Sequence, residues 1–296
     1  MKFKNAKRVM LSTLSLLLIN AFTFPVLAAD IDVPEGMSIP SNFEVEDNDV
    51  YVEITDDSME LLSLDDSYEN TIRMTDEKAL QLYNDYLASL PETVSETDTY
   101  SAKHLNTFVE YAVEQGIIED TAVQRAGITK AVVRAQFKTV ATTGKTLGFK
   151  TAGILLNHSL QDSPSNLSYG ANTTFASQIL KSSECKKIVN SFKSYVKGKK
   201  LSARTTSGST TLNSTTDLHL AYNKVSYVAT GTKKNGVWTL KITFSDTYDF
   251  ETQAWKNAMT GNPAVTILNN YATYAQSLKA IVPYKVKVTV NTTFKE

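Results

Sequence analysis

Between residues 75 and 157 apolar side chains recur every three or four positions, and beyond Leu218 they alternate with polar ones. The first spacing predicts helices and the second predicts half-buried strands. Thr75 opens the first helix as a cap. Asp76 and Glu77 suit the positive end of its dipole, and Leu80, Tyr83, Leu87 and Leu90 form one stripe before Pro91 stops it. Ser101 opens a second helix, with Leu105, Phe108, Val109 and Ala112 inward and Gly116 at its end. A short helix over 119–126 closes at Gly127, and a longer tract over 129–157 carries Val133, Phe137, Val140, Leu147 and Leu155. Inside that tract Gly144, Gly148 and Gly153 each cost about 1 kcal/mol relative to Ala, which predicts a kink or break, and small residues also let helices approach closely.

Asp162-Ser163-Pro164-Ser165 is a loop signal. A further helix is predicted over 173–196, with Ile179, Ile188, Val189, Phe192 and Val196 inward and Gly198 closing it. Residues 201–216 are rich in Ser and Thr and read as strand or loop. Strands follow over 218–229 and 237–245, joined by a turn through Gly231, Asn235 and Gly236. Trp238, Leu240, Ile242 and Phe244 alternate with polar neighbours along the second of these. Pro263 opens a helix carrying Val265, Leu268, Tyr271, Ala272, Ala275 and Leu278. A last strand, from 281 or 282 to 293, has Val286, Val288 and Val290 on one face. The fold class is therefore α+β: an N-terminal helical part, then a mixed, mainly antiparallel sheet with a packed C-terminal helix.

The first 28 residues follow another pattern. Lys2, Lys4, Lys7 and Arg8 precede an apolar run from Val9 to Phe24, and Val26-Leu27-Ala28-Ala29 supplies small residues. That order predicts a secretory signal peptide cleaved near Ala28 or Ala29, and the run is shorter and more polar than a membrane anchor. The predicted organisation is a signal peptide (1–28), an acidic leader (29–72), a helical region (73–162) and an α+β domain (163–296). Residues 30–71 hold 14 acids and no base, which predicts extended, solvated chain, and their spacing does not fit a calcium-binding EF-hand loop.

Without the signal, 30 basic residues become 26 against 31 acidic ones, a net charge of −5. That balance disfavours nucleic acid as a partner. No later stretch is apolar enough to span a bilayer. Cys185 is the only cysteine, so no intrachain disulfide forms and folding rests on the core. The expectation is a protein exported by a bacterium with a single membrane, secreted or held at the cell surface.

The densest polar constellation is Asp246-Thr247-Tyr248-Asp249-Phe250, at the end of the most regular strand. Two carboxylates flanking a phenol could orient a substrate or perform acid–base chemistry, or they could simply cap backbone groups of the following turn. Asp246-Thr247-Tyr248-Asp249 resembles the Asp-x-Tyr-Asp signature of the colicin M family, bacterial toxins that cleave the lipid-linked peptidoglycan precursor at its phosphodiester. That resemblance implies catalytic roles for Asp246, Tyr248 and Asp249. In the family a His-Arg pair follows after five residues, and here Trp255-Lys256 stands in its place.

Among the histidines, His104 lies in a helix's first turn and His158 at a helix end. His219 has two readings. A hairpin centred between Lys233 and Lys234 would pair His219 with Tyr248, Ala221 with Asp246, Val225 with Ile242, Tyr227 with Leu240 and Ala229 with Trp238. Alternatively, because Leu218, Leu220 and Tyr222 have the opposite parity from Val225 and Tyr227, a bulge at Asn223-Lys224 turns His219 outward.

There is no nucleophile elbow, zinc motif or phosphate-binding Gly loop, so no cofactor or metal follows from motifs. The lysines from Lys186 to Lys200 form a basic face that would attract wall teichoic acid or anionic lipid, or serve only as a solvated helix surface. Two function classes remain. One is a binding or interaction protein with a protein or cell-wall ligand. The other is a hydrolase or bacteriocin-like toxin acting on envelope precursors through Asp246, Tyr248 and Asp249, with His219 as a further candidate.

Overall fold

A computed structural model describes residues 49–55, 71–90, 100–251 and 263–295. The predicted signal peptide and its cleavage position, most of the acidic leader and the Trp255-Lys256 pair lie outside these described residues. The architecture is α+β. Helix α1 (Asp76–Ser89) begins at Thr75, whose hydroxyl accepts the Lys78 N–H at 3.2 Å. Helix α2 (Ala102–Glu114) follows, and the chain turns at Gly116 with φ 65°.

One helix boundary in this region differs from the expected one. Helix α3 (Ala122–Thr146) runs straight through Gly127, where a helix end was expected. A Cβ at Gly127 would stand 2.5 Å from the Thr71 hydroxyl oxygen, so this glycine lets the 71–72 segment lie on the helix. Of the three glycines in the long tract, Gly148 makes the break, with φ 94°, before α4 (Lys150–Ser159). Gly153 serves the close approach: a Cβ there would lie 2.6 Å from the Ala141 carbonyl oxygen.

The predicted 173–196 helix is two helices, α5 (Thr174–Lys181) and α6 (Ser183–Val196). Ser182 separates them, its hydroxyl accepting the Cys185 N–H at 3.1 Å as the cap of α6. A short helix, α7 (Thr216–Ala221), replaces the start of the predicted 218–229 strand. The parity break at Leu218 is therefore helical spacing, with Leu218, Ala221 and Tyr222 buried at i, i+3 and i+4 and Thr215 as the cap.

Among the described residues the sheet has six strands: β1 (Tyr51–Ile54), β2 (Asn166–Tyr169), β3 (Ala203–Thr211), β4 (Lys224–Lys234), β5 (Val237–Tyr248) and β6 (Tyr284–Lys295). Their order is β1-β2-β6-β5-β4-β3, with β1, β2 and β6 parallel and the remaining pairs antiparallel. Sequence patterning did not reveal β2, and it assigned the β1 residues to the solvated leader. The β4–β5 turn is Asn235-Gly236, with φ 51° and 76°, the two-residue hairpin this dipeptide favours. It pairs Ala229 with Ile242 and Tyr227 with Phe244, four residues along β5 from the expected register. An even shift leaves the same side chains inward.

Even-numbered residues of β5 and β6 face the helices. Trp238, Leu240, Ile242, Phe244, Val286, Val288 and Val290 are buried there. Phe192 of α6 packs edge-on against Trp238, the Tyr222 hydroxyl donates to the Val286 carbonyl, and the Tyr284 hydroxyl donates to Leu155 of α4. Helix α8 (Pro263–Ser277) joins through Tyr271, which stacks on Phe137 and donates to Gln136. Buried side chains from 73–162 and from 163–296 belong to one continuous core. Among the described residues the opposite sheet face is open, and it carries mostly Thr, Ser and Lys, such as Thr230, Lys241 and Thr243.

Candidate functional site

Asp246 shares parity with Phe244 and Tyr248, so it points to the buried face of β5, beside Val286 of β6. Burial pushes its carboxyl up to about 7, and the nearby Asp249 and Glu251 charges add to the rise, while the Thr247 backbone N–H and Lys224 oppose it. Tyr248 is buried against Phe250 and Tyr284, and burial raises its phenol well above the ordinary value. Asp249 lies one residue beyond the strand and is exposed; partial desolvation and Glu251 raise its carboxyl. The structure thus brings Asp246 and Tyr248 onto one face and sets Asp249 apart.

His219 lies on α7, so neither the expected strand pairing with Tyr248 nor the expected bulge forms. Among the described residues neither ring nitrogen has a hydrogen-bond partner, and burial lowers its basicity. No ring contact or hydrogen bond joins it to Asp246 or Tyr248 among those residues. Its neighbour Asp217 has a defined structural task. The carboxylate accepts the N–H groups of Thr151 at 3.1 Å and Ala152 at 2.9 Å, capping the start of α4 from another part of the chain. Cys185 is buried, and burial with the Glu184 charge pushes its thiol up to about 11, so it is an inert core residue. Among the described residues no group of three or more His, Cys, Asp and Glu could hold a metal ion.

A different surface concentrates charge. Residues 185–245 contain eleven Lys and Arg and one acid, Asp217, which is buried at the α4 cap. Many of the cations gather at one end of the sheet. The end of α6 brings Lys193 and Lys197, and Lys199 and Lys200 follow it. Arg204 opens β3 opposite Gly231, and Lys233 and Lys234 sit at the β4 tip. Val237 beside that tip pairs with Lys295.

At its centre Tyr195, 44% exposed, lies between the Lys199 Nζ at 3.4 Å from its ring centroid and the Arg204 Cζ at 3.2 Å. Arg204 and Lys199 together draw the Tyr195 phenol below its ordinary value. Lys193 stands over the Phe294 ring at 5.1 Å. Among the described residues none of these α6 and post-α6 lysines, nor Arg204, forms an ion pair with an acid.

Comparison of the chain with protein-family models, curated proteins and solved structures gives no match. Cations held by aromatic rings and without acidic partners among the described residues have defined positions, which suits an anionic ligand. Sequence reading located the α6 lysines but not their convergence with Arg204, Lys233, Lys234 and Lys295, which needs the sheet register. The legible signal was the scarcity of acids over 185–245. No described helix is long and apolar enough to cross a membrane.

Proposed function

We propose that this chain is an exported binding protein that holds an anionic phosphate-bearing polymer of the cell surface at the cationic end of its sheet. The observation that carries the reading is the Lys199–Tyr195–Arg204 stack, beside Lys193, Lys197 and Lys200 that form no ion pair with an acid among the described residues, on a chain whose predicted mature charge is −5. An overall acidic protein with one basic end is steered by its field to present that end to a polyanion. The neighbouring open face, rich in Ser and Thr, adds hydroxyl donors and acceptors for phosphate oxygens and polyol hydroxyls.

The test is cosedimentation of the mature protein with isolated cell walls before and after chemical removal of their phosphate polymer. Binding that disappears with the polymer, and that K199E/R204E also abolishes, supports the reading. Binding that survives removal of the polymer, or equal binding to anionic lipid vesicles, sinks it.

A second reading, a hydrolase of envelope precursors, draws on Asp246. Its carboxyl holds a proton near neutral pH and shares a face with Tyr248, as a general acid could. Phosphodiester cleavage of a lipid-linked precursor by the wild type, lost in D246N of unchanged stability, would replace the first reading with this one.

A further inference from the structure

The two sheet edges are treated very differently. Among the described residues one edge is β1, four residues long, and the other is β3, with nine. Long, flat edges are normally guarded by Lys, Pro, bulges or inward charges, because their unpaired N–H and C=O groups recruit another strand. From Thr205 to Thr211 the β3 edge has none of these residues, and Thr205, Ser207, Gly208, Ser209 and Thr211 are exposed.

Which backbone groups are free follows from the pairing. Leu212 donates to Asn223 and Lys233 donates to Ser202, both at 2.7 Å, in the same register that sets Ala203 opposite Thr232. Directly opposed residues in an antiparallel ladder alternate between bonded and non-bonded pairs. Even-numbered β3 residues therefore bond to β4. Thr205, Ser207, Ser209 and Thr211 turn their N–H and C=O groups to the open edge.

The sequence along that edge reads Thr205-Thr206-Ser207-Gly208-Ser209-Thr210-Thr211, identical in both directions about Gly208. We propose that two copies of this chain pair β3 against β3, antiparallel, about a twofold axis at Gly208. Ser207 then faces Ser209 of the second copy, and Thr205 faces Thr211. These are the residues with free backbone groups, so both partners' open donors and acceptors are satisfied together. Odd residues meet odd ones, so the open face and the helix-covered face each continue across the joint.

Gly208 falls at a non-bonded pair, where the strands come closest, about 4.5 Å between Cα atoms. Its missing side chain fits that position. The Tyr227 ring already covers it, with a Cβ at Gly208 coming 2.8 Å from the phenol oxygen. Opposed Thr and Ser pairs add cross-strand hydrogen bonding.

Charge selects the direction. Arg204, Lys199 and Lys200 lie at the start of β3, so antiparallel pairing sends the two cationic ends to opposite ends of the dimer, whereas parallel pairing would stack them. An isologous joint of this kind closes at two copies. It stands whether or not the cationic ends bind a polymer. If they do, the dimer offers two such ends on one twelve-stranded sheet.

The test is light scattering and sedimentation of the mature chain, together with cysteine crosslinking. The wild type is expected at twice the chain mass. Ser207→Pro, which removes a donor facing the open edge, is expected to be monomeric while keeping the circular-dichroism spectrum of the folded wild type. Ser207→Cys and Ser209→Cys are expected to crosslink readily when mixed and poorly when each is alone, the buried Cys185 staying silent. A monomeric wild type at high micromolar concentration, filaments, a dimer that survives Ser207→Pro, or Ser207→Cys crosslinking alone as fast as the mixture would each overturn the proposal.

Discussion

The Phe192 ring of α6 lies so close to Gly231 of β4 that a Cβ at that glycine would stand 2.4 Å from the ring carbon Cζ. Phe192 cannot swing aside, because it packs edge-on against both Trp238 and Phe294 in the core. With the contacts to Trp238 and Phe294, this one seats α6, and with it the cationic end, on the sheet.

Gly231→Ala is therefore expected to destabilise the fold by about 1–3 kcal/mol through overpacking. Chemical denaturation measures it. Gly231→Ala combined with Phe192→Leu should lose less than the two single changes added together, since the smaller side chain makes room for the methyl. Strict additivity would show that the clash is relieved elsewhere.

Asp217→Ala should cost about 1–3 kcal/mol, because it strands the buried N–H groups of Thr151 and Ala152 at the head of α4. Asp217→Asn keeps one acceptor oxygen and should lose less. Amide hydrogen exchange at Thr151 and Ala152 reads the effect locally, and unchanged protection in Asp217→Ala would refute the capping role.

Asp246 makes stability depend on pH in a defined direction. Its folded value of about 7 lies above the unfolded value of 3.8, so the folded state binds the extra proton between them. Its contribution is complete below pH 4 and is lost as pH rises towards 7. Three units would set a ceiling of about 4 kcal/mol, which the carboxyl's partial access to water lowers to on the order of 1–2 kcal/mol. Asp246→Asn should match wild type near pH 4 and exceed it at pH 8. His158 acts in the opposite sense: burial lowers its basicity, so its contribution is lost as pH falls below about 6.5. The difference between wild type and Asp246→Asn cancels that term, and a difference flat from pH 4 to 8 would contradict the assignment.

Lys199→Ala with Arg204→Ala should weaken polymer binding and flatten its dependence on ionic strength, because the exposed Lys199 and the half-buried Arg204 both lose a charge that salt screens. Titrations at low and moderate salt test this. An undiminished salt slope would place the binding charge elsewhere on the protein.

Much of the fold could be read from local pattern. Thr75 as a cap, the stripe Leu105-Phe108-Val109-Ala112 and the alternation from Trp238 to Phe244 each declare themselves within a few residues. Where two local patterns overlap, the reading failed. Leu218, Leu220 and Tyr222 fit a strand of the wrong parity as well as a helical turn, and the Thr215 cap decides for the helix. The hairpin register also went astray. A turn at 233–234 and one at 235–236 both keep the apolar residues inward, and only the positive φ that Asn and Gly accept separates them. The candidate site was half legible, since Asp246 and Tyr248 share a face by strand parity, whereas the position of His219 depended on the helix.

The sequence by itself determined the α+β class, the even-numbered apolar face of β5 and β6, and the scarcity of acids over 185–245, because each follows from neighbours along the chain. Only the tertiary structure decided that β1 and β2 join β6 in parallel, that Asp217 caps a helix 65 residues before it, and that Arg204 meets Lys199 across Tyr195. Those relations link segments far apart in sequence. Their free energy comes from burying apolar surface and satisfying buried polar groups together, which no local pattern encodes.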